Sequence, residues 1–424
     1  MSTNVRLLAL LTLAHVVVDA YATTVPALLP FWQERFALSY ALAGLIRAIS
    51  DVTSSVAQPL VGILTDRGRD QRWIAVACLL TAVGVSLTGL APGYGVFLAS
   101  VVAGGLGVSA FHPQGYKLIA LYAGNNPAVA TSWFLVGGNV GVALGPLIGT
   151  AMALRFGVGG TGLLLVPGVI FAATMWWLLP RWSAEAREHP GPGSPEPDDG
   201  QAKHMRSRQA GATASTLVAG FGINRRVWAV VVLVLFVALR STISSSLISF
   251  VPLYYVRIAG TGEDVASLML AGMLLTGAVA TVAGGYLSDR FGRLRILTLS
   301  LVPVPPLILA FLWLPPNSTL AAAALWSVGA LITGTFAITV VLAQELWYER
   351  RALASGLIVG SAFGMGGLLV PLVGRAADLW GLPAALQLLA ALPVAALALL
   401  AVFGAILSPT WNRTPATRHN EDNT

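Results

Sequence analysis

Charge is what this 424-residue chain has least of. Lys, Arg, Asp and Glu make up 10% of it, where a soluble domain carries roughly 25%. A soluble chain of this length would divide into two or three domains with charged rinds, so a soluble globular enzyme is excluded. Disorder is excluded too, since 56% of the residues are hydrophobic and the mean hydropathy is +0.76. The single cysteine, Cys78, has no partner for an intramolecular disulfide and rules out a Cys-cluster metal site. The five histidines form no His-x-x-x-His or Glu-x-x-His pair, so neither a metal nor any other cofactor is expected, and no enzyme activity. A phosphate-binding loop is missing, which removes ATP as a motor, and no channel filter sequence is visible. The first apolar stretch is long, contains His15 and Asp19, and lacks a small-residue cleavage site, so it does not read as a signal peptide.

What the chain has is apolar length. A helix crosses the hydrocarbon core in about 20 residues. Runs between charged or Pro/Gly/Asn punctuation give twelve spans, near 6–31, 39–65, 73–91, 94–120, 128–154, 160–180, 226–256, 263–288, 296–314, 319–345, 352–375 and 382–408. With both termini placed in the cytoplasm, the outer loops hold only Arg35, Arg155, Arg257 and Arg375, and Arg47 and Arg240 fall inside spans. Every other Lys and Arg lies on the inner side, the distribution of a plasma-membrane protein with both ends inside. The net charge of +7 therefore reads as topology, not nucleic-acid binding. Segment 181–225 is rich in Pro, Gly, Ser and charge and reads as a flexible cytoplasmic linker, with a short interfacial helix near 216–222. The expected organisation is a six-helix bundle at 1–180, that linker, a second bundle at 226–408 and a tail at 409–424.

The two bundles repeat each other. Gly62, Asp66 and Arg67 align with Gly285, Asp289 and Arg290, and at nearly the same offset Pro146 and Gly149 align with Pro371 and Gly374. Six spans duplicated in one orientation define an all-α membrane protein with two parallel six-helix halves, an architecture of secondary transporters. The pattern Gly285-x-Leu287-x-Asp289-Arg290-x-Gly292-Arg293, and its shortened first copy Gly62-x-Leu64-x-Asp66-Arg67-Gly68-Arg69, resemble the loop motif of the major facilitator superfamily. Gly141-x-x-x-Gly145-Pro146-x-x-Gly149 resembles that superfamily's antiporter motif, with Thr150 in place of its final glycine. Three stretches, 15–30, 109–115 and 136–146, are similar to the fosmidomycin-resistance branch of its efflux permeases. The resemblance implies proton-driven export of a drug-like, anionic compound by alternating access; uptake of a small organic anion or another metabolite is the competing reading. The implied partners are a small-molecule substrate, protons and the lipid bilayer, with the protein working as a monomer.

Ionisable groups within spans cost about 2.5–3.5 kcal/mol each and mark function by default. Asp19 lies near the middle of its span, one helical turn from His15, and no i±4 basic residue other than His15 can neutralise it. Asp19 is the expected proton carrier, with His15 or His112 as relay; His112 also reads as a helix-bend residue satisfied by a backbone carbonyl. Arg47 and Arg240 can attract a phosphonate or carboxylate, although Arg47 and Asp51 at i, i+4 can equally neutralise each other. Tyr21, Gln114 and Asn139 are expected pocket-wall residues, with Tyr116, Trp133, Ser244 and Ser245 as further candidates. Asp66 and Asp289 can accept N–H groups from a neighbouring helix N-terminus, so the two loop motifs read as a cytoplasmic gate, or else as plain positive-inside anchors. The span-5 glycines read as a close, bendable helix contact.

Overall fold

The computed structural model describes residues 3–66, 71–122, 127–188, 223–347 and 351–407. These residues are almost wholly helical, and none of them is in a strand. The first half runs through α1 (Thr3–Ala27), α2 (Leu29–Phe36), α3 (Tyr40–Asp66), α4 (Trp73–Thr88), α5 (Tyr94–Tyr122), α6 (Pro127–Phe156), a 3-10 segment (Val158–Leu164) and α7 (Leu165–Glu188). The second continues with α8 (Ile223–Leu253), α9 (Glu263–Phe291), α10 (Arg293–Leu301), α11 (Val304–Trp313), α12 (Thr319–Thr333) and α13 (Phe336–Leu346). It closes with α14 (Arg351–Gly360), α15 (Val370–Trp380), α16 (Leu382–Leu388) and α17 (Ala391–Leu407). Among the described residues nine helical stretches are long and apolar enough to cross a membrane. Helix α3, the 16-residue α4 and the interrupted α14–α15 supply the other three of twelve spans.

Where the helices break, local chemistry accounts for it. Span 296–314 divides between α10 and α11 at Val302–Pro303, where Pro303, Pro305 and Pro306 remove three backbone donors. Span 319–345 divides at Gly334–Thr335, and span 352–375 passes through a π turn at Ser361–Met365. Helix α1 stops at Ala27 rather than 31, and α2 restarts with Pro30 in its first turn. Helix α7 continues to Glu188 and α8 starts at Ile223, so both ends of segment 181–225 are helical. The interfacial helix anticipated near 216–222 and the tail after 407 lie outside the described residues.

The helices gather into two compact units. One joins α1 to α7 with Ser246–Leu275 and Gly367–Pro383; the other holds the remaining described residues. In the first unit a core of Leu7, Leu11, Phe111, Ile119, Phe134, Met175 and Leu179 is shut off from solvent. Helix α15 lies directly on α3 in the same unit. A Cβ on Gly374 would stand 2.6 Å from the Tyr40 carbonyl carbon and 2.8 Å from the Ala41 Cα, and one on Gly44 would stand 2.9 Å from the Val370 oxygen. That intimacy lets Asp378 accept the Tyr40 and Ala41 N–H groups at 2.7 and 3.1 Å, completing with Ser39 Oγ, which accepts from Leu42 N–H, the cap of α3. Arg257 donates to Glu34 at 3.0 Å and to the Pro30 carbonyl at 2.9 Å, tying α2 to the segment after α8. Gly374→Val should overpack this seam and cost about 1–3 kcal/mol, read as a lowered Tm in detergent, whereas Gly404→Val, whose Cβ would meet nothing within 4 Å, should leave Tm unchanged. Equal melting of the two variants would refute the seam.

Candidate functional site: a carboxylate between two imidazoles

The site begins with small residues on α6. Gly137, Gly138, Gly141, Gly145 and Gly149 recur at helical spacing and face α1. A Cβ on Gly137 would stand 2.6 Å from the Thr12 carbonyl oxygen, and one on Gly149 2.6 Å from the Thr24 methyl; Gly141 and Gly145 lie against the Val16 and Ala20 carbonyls. With the backbones this close, hydroxyls reach across: Thr23 donates to the Val142 carbonyl at 3.1 Å and Thr24 to that of Gly145 at 3.3 Å. Pro146 is buried within the same helix. The span-5 motif is thus the seat on which α1 rests.

Gly138 opposes the functional pair. A Cβ there would meet His15 Nε2 at 2.5 Å and Asp19 Oδ2 at 2.9 Å, so only glycine leaves the space they fill. His15 Nε2 lies 3.2 Å from Asp19 Oδ2. From α5, His112 Nε2 lies 3.5 Å from Asp19 Oδ1. Each ring is pinned at its other nitrogen. His15 Nδ1 is 2.7 Å from the Phe134 carbonyl and His112 Nδ1 is 2.9 Å from the Val108 carbonyl. A carbonyl only accepts, so both Nδ1 atoms carry hydrogen and both Nε2 atoms face the carboxylate. The rings of Phe134 and Phe111, with centroids 4.1 and 5.6 Å from that of His15, hold the imidazole in place. His15 is 3% and Asp19 8% exposed, while the His112 side chain at 21% is the open edge of the cluster.

This tautomer assignment constrains the protons. With Nδ1 committed to backbone, a neutral imidazole offers Asp19 only a lone pair, which repels an ionised carboxylate. Each Nε2···carboxylate contact therefore closes only around a proton, on the nitrogen or on the oxygen. The three side chains meet at membrane depth.

The remaining expected residues occupy varied settings. Arg47 Nε bonds Asp51 Oδ2 at 2.9 Å, so its charge is answered within its own helix. Tyr21 is buried and donates its hydroxyl to the Leu164 carbonyl. Gln114 and Ser245 are buried, Asn139 and Ser244 half-buried, and Tyr116 and Trp133 exposed. In the second unit Arg240 is 4% exposed; it donates one Nη2 bond to the Ile332 carbonyl, while Nε and Nη1 have no partner and no carboxylate among the described residues pairs with it. Of the loop motifs, Gly62 and Asp66 lie at the end of α3 but nothing is described of their side-chain surroundings, and Arg67 and Arg69 lie outside the described residues. In the second copy a Cβ on Gly285 would meet nothing within 4 Å, and Asp289 and Arg290 are exposed at the end of α9. Gly292 takes φ 91°, a conformation costly for any other residue, and turns the chain so that Arg293 pairs with Glu345 of α13. The sequence reading overlooked Gly138, Phe134 and the Glu345 partnership. A second glycine directly before Asn139 was the one available signal.

Twelve apolar helices in two parallel halves, with a His–Asp–His cluster at membrane depth, define a multi-pass membrane transporter rather than an enzyme. The sequence profile of the Major Facilitator Superfamily matches residues 11–371 and 233–422, and the chain belongs to that superfamily. It is 28% identical to the fosmidomycin resistance protein of Escherichia coli K12, over 95% of this chain and 93% of that one. It is also 28% identical to the uncharacterized MFS-type transporter YfnC of Bacillus subtilis 168, over 92% and 90% of the two chains. The fold matches a bacterial homolog of the human lysosomal transporter Spinster in its inward-facing, occupied conformation, with a TM-score of 0.75 at 17% identity over 94% and 96% of the chains. Gly138→Ala should push His15 and Asp19 apart at a cost of about 1–3 kcal/mol, visible as a fall in Tm in detergent; an unaltered Tm would show that α6 yields at this point.

Proposed function

We propose that this protein exports a drug-like, anionic small molecule across the cell inner membrane by alternating access, in exchange for protons held by Asp19, His15 and His112. The observation that carries the reading is the placing of the Asp19 carboxylate 3.2 Å from His15 Nε2 and 3.5 Å from His112 Nε2. Removing or adding one proton changes which of these contacts can form, and three residues from two helices, α1 and α5, feel it. A load on the cluster is thereby converted into a shift of helices, which is what coupling requires. His112, the most exposed member, is the natural point of proton entry. Similarity to a protein named for fosmidomycin resistance supports efflux. In purified protein reconstituted into vesicles with a pH-sensitive dye, Asp19→Asn should bring substrate-driven proton movement to background while leaving membrane insertion intact. Undiminished proton movement would remove Asp19 as the carrier.

Arg240 supports an anionic cargo. A buried guanidinium with two unanswered nitrogens is costly, and a phosphonate or carboxylate could meet both at once. A charge-assisted pair of this kind contributes about 1.5–3 kcal/mol, so Arg240→Gln should raise the KM for an anionic substrate about tenfold or more, with Arg240→Lys intermediate. An unchanged KM would place the anion elsewhere. The same arginine suits uptake of a small organic anion. In a deletion strain, increased sensitivity to an anionic antibiotic, reversed by plasmid copies only while the proton gradient stands, favours export; loss of growth on one nutrient favours uptake. The Lys/Arg distribution supports cytoplasmic termini. The Arg293–Glu345 pair beside Asp289 and Arg290 supports the loop motif as a gate that must loosen during the cycle.

A further inference from the structure

The cluster that holds protons also has the geometry of a transition-metal site. The ligating atoms of His15, Asp19 and His112 all lie within 4.8 Å of one another. Zn2+ binds imidazole nitrogen and carboxylate oxygen at about 2.0–2.2 Å in a tetrahedron, which separates neighbouring ligand atoms by about 3.3 Å. The two nitrogen–oxygen separations here are 3.2 Å, to Oδ2, and 3.5 Å, to Oδ1, so each imidazole nitrogen already lies about a tetrahedral edge from one oxygen of the carboxylate.

The surrounding atoms complete the argument. Metal-bound histidines characteristically give their other N–H to a carbonyl or carboxylate, which sets the tautomer and aims the free lone pair at the metal. Both histidines do this, through the Phe134 and Val108 carbonyls. Phe111 and Phe134 flank His15, and Gly138 leaves the pair its room. Two imidazoles and one carboxylate suit Zn2+, Co2+ or Cu2+ and are unsuited to Mg2+, which demands oxygen ligands. A three-ligand set also leaves a fourth position for water or an anion.

We propose that His15, Asp19 and His112 form a binding site for a divalent transition metal, with Zn2+ the best fit, and that the bound metal arrests transport by holding α1 and α5 together. Binding follows from the ligand geometry alone; the arrest rests on the proton-coupling reading above. A metal bound there would join the α1 and α5 side chains through three coordinate bonds.

The test uses the full-length protein in detergent, carrying His189→Asn, His204→Asn and His419→Asn so that the remaining histidines are those of the cluster. Calorimetric titration with Zn2+ should give one site per chain, with Mg2+ giving none. His112→Gln should weaken Zn2+ at least about tenfold, and Asp19→Asn likewise. Co2+ should produce the intense visible absorption of a four-coordinate site, lost in His112→Gln; because His112 sits at the open edge, that variant is the one expected to fold normally, and an unchanged Tm checks it. Zn2+ binding with equal affinity in the triad variants, or no binding at all, overturns the site. In vesicles Zn2+ should halt substrate-driven proton movement, and transport that continues with the triad loaded overturns the arrest. The two readings fail separately. Triad-dependent Zn2+ binding alongside normal proton movement in Asp19→Asn keeps the metal site and sinks the coupling; the reverse pattern keeps the coupling and sinks the site.

Discussion

Everything at the centre of the first unit answers to one requirement, a place for the Asp19 carboxylate among apolar helices. No water of the hydrocarbon region can solvate it, so the fold must bring donors to it. Two imidazoles do so, one from its own helix and one from α5, and each must in turn be oriented by a backbone carbonyl. The Phe134 carbonyl belongs to α6, so three helices must meet within a few ångströms. Their meeting depends on the glycines that α6 presents to α1 at 137, 138, 141, 145 and 149.

The span-5 glycines and the His15–Asp19–His112 cluster are therefore one construction. Close backbone approach is usually read as a way to gain dispersion and weak hydrogen bonds between helices. Here it also sets the distance between the Phe134 carbonyl and His15, and so decides which nitrogen faces Asp19. A side chain at Gly138 would deny that space directly. Packing and proton chemistry cannot be altered independently at this point, which explains why a motif of small residues sits beside titratable groups.

The second unit poses the complementary problem. Arg240 is buried with donors to spare, an arrangement that gains nothing for stability. Its helix-mate Phe236 has its ring centroid 5.9 Å from the guanidinium carbon, a weak contact that leaves the charge largely unanswered. Irregularities cluster in this half as well. The prolines at 303–306, the Gly334 break and the π turn at Ser361–Met365 interrupt helices that hydropathy alone reads as continuous.

Much of this was legible in the chain itself. Low charge, apolar run lengths and repeated motifs are properties of composition and order, so they yielded the membrane class, the twelve spans and the duplicated halves without reference to contacts. Asp19 and His15 also declared themselves, because four residues along a helix is one turn and their pairing is local. What lay beyond reach depended on distance in sequence. That Arg47 is answered by Asp51 could be raised as a possibility but not decided, since rotamers and burial settle it. That His112 joins Asp19 while Tyr21 turns to Leu164, that Gly138 rather than Asn139 borders the cluster, and that Arg293 finds Glu345 are results of how helices cross. Crossing is set by the summed fit of many side chains, and no local pattern records it. The sequence determined which groups are present at membrane depth; the tertiary structure decided which of them meet.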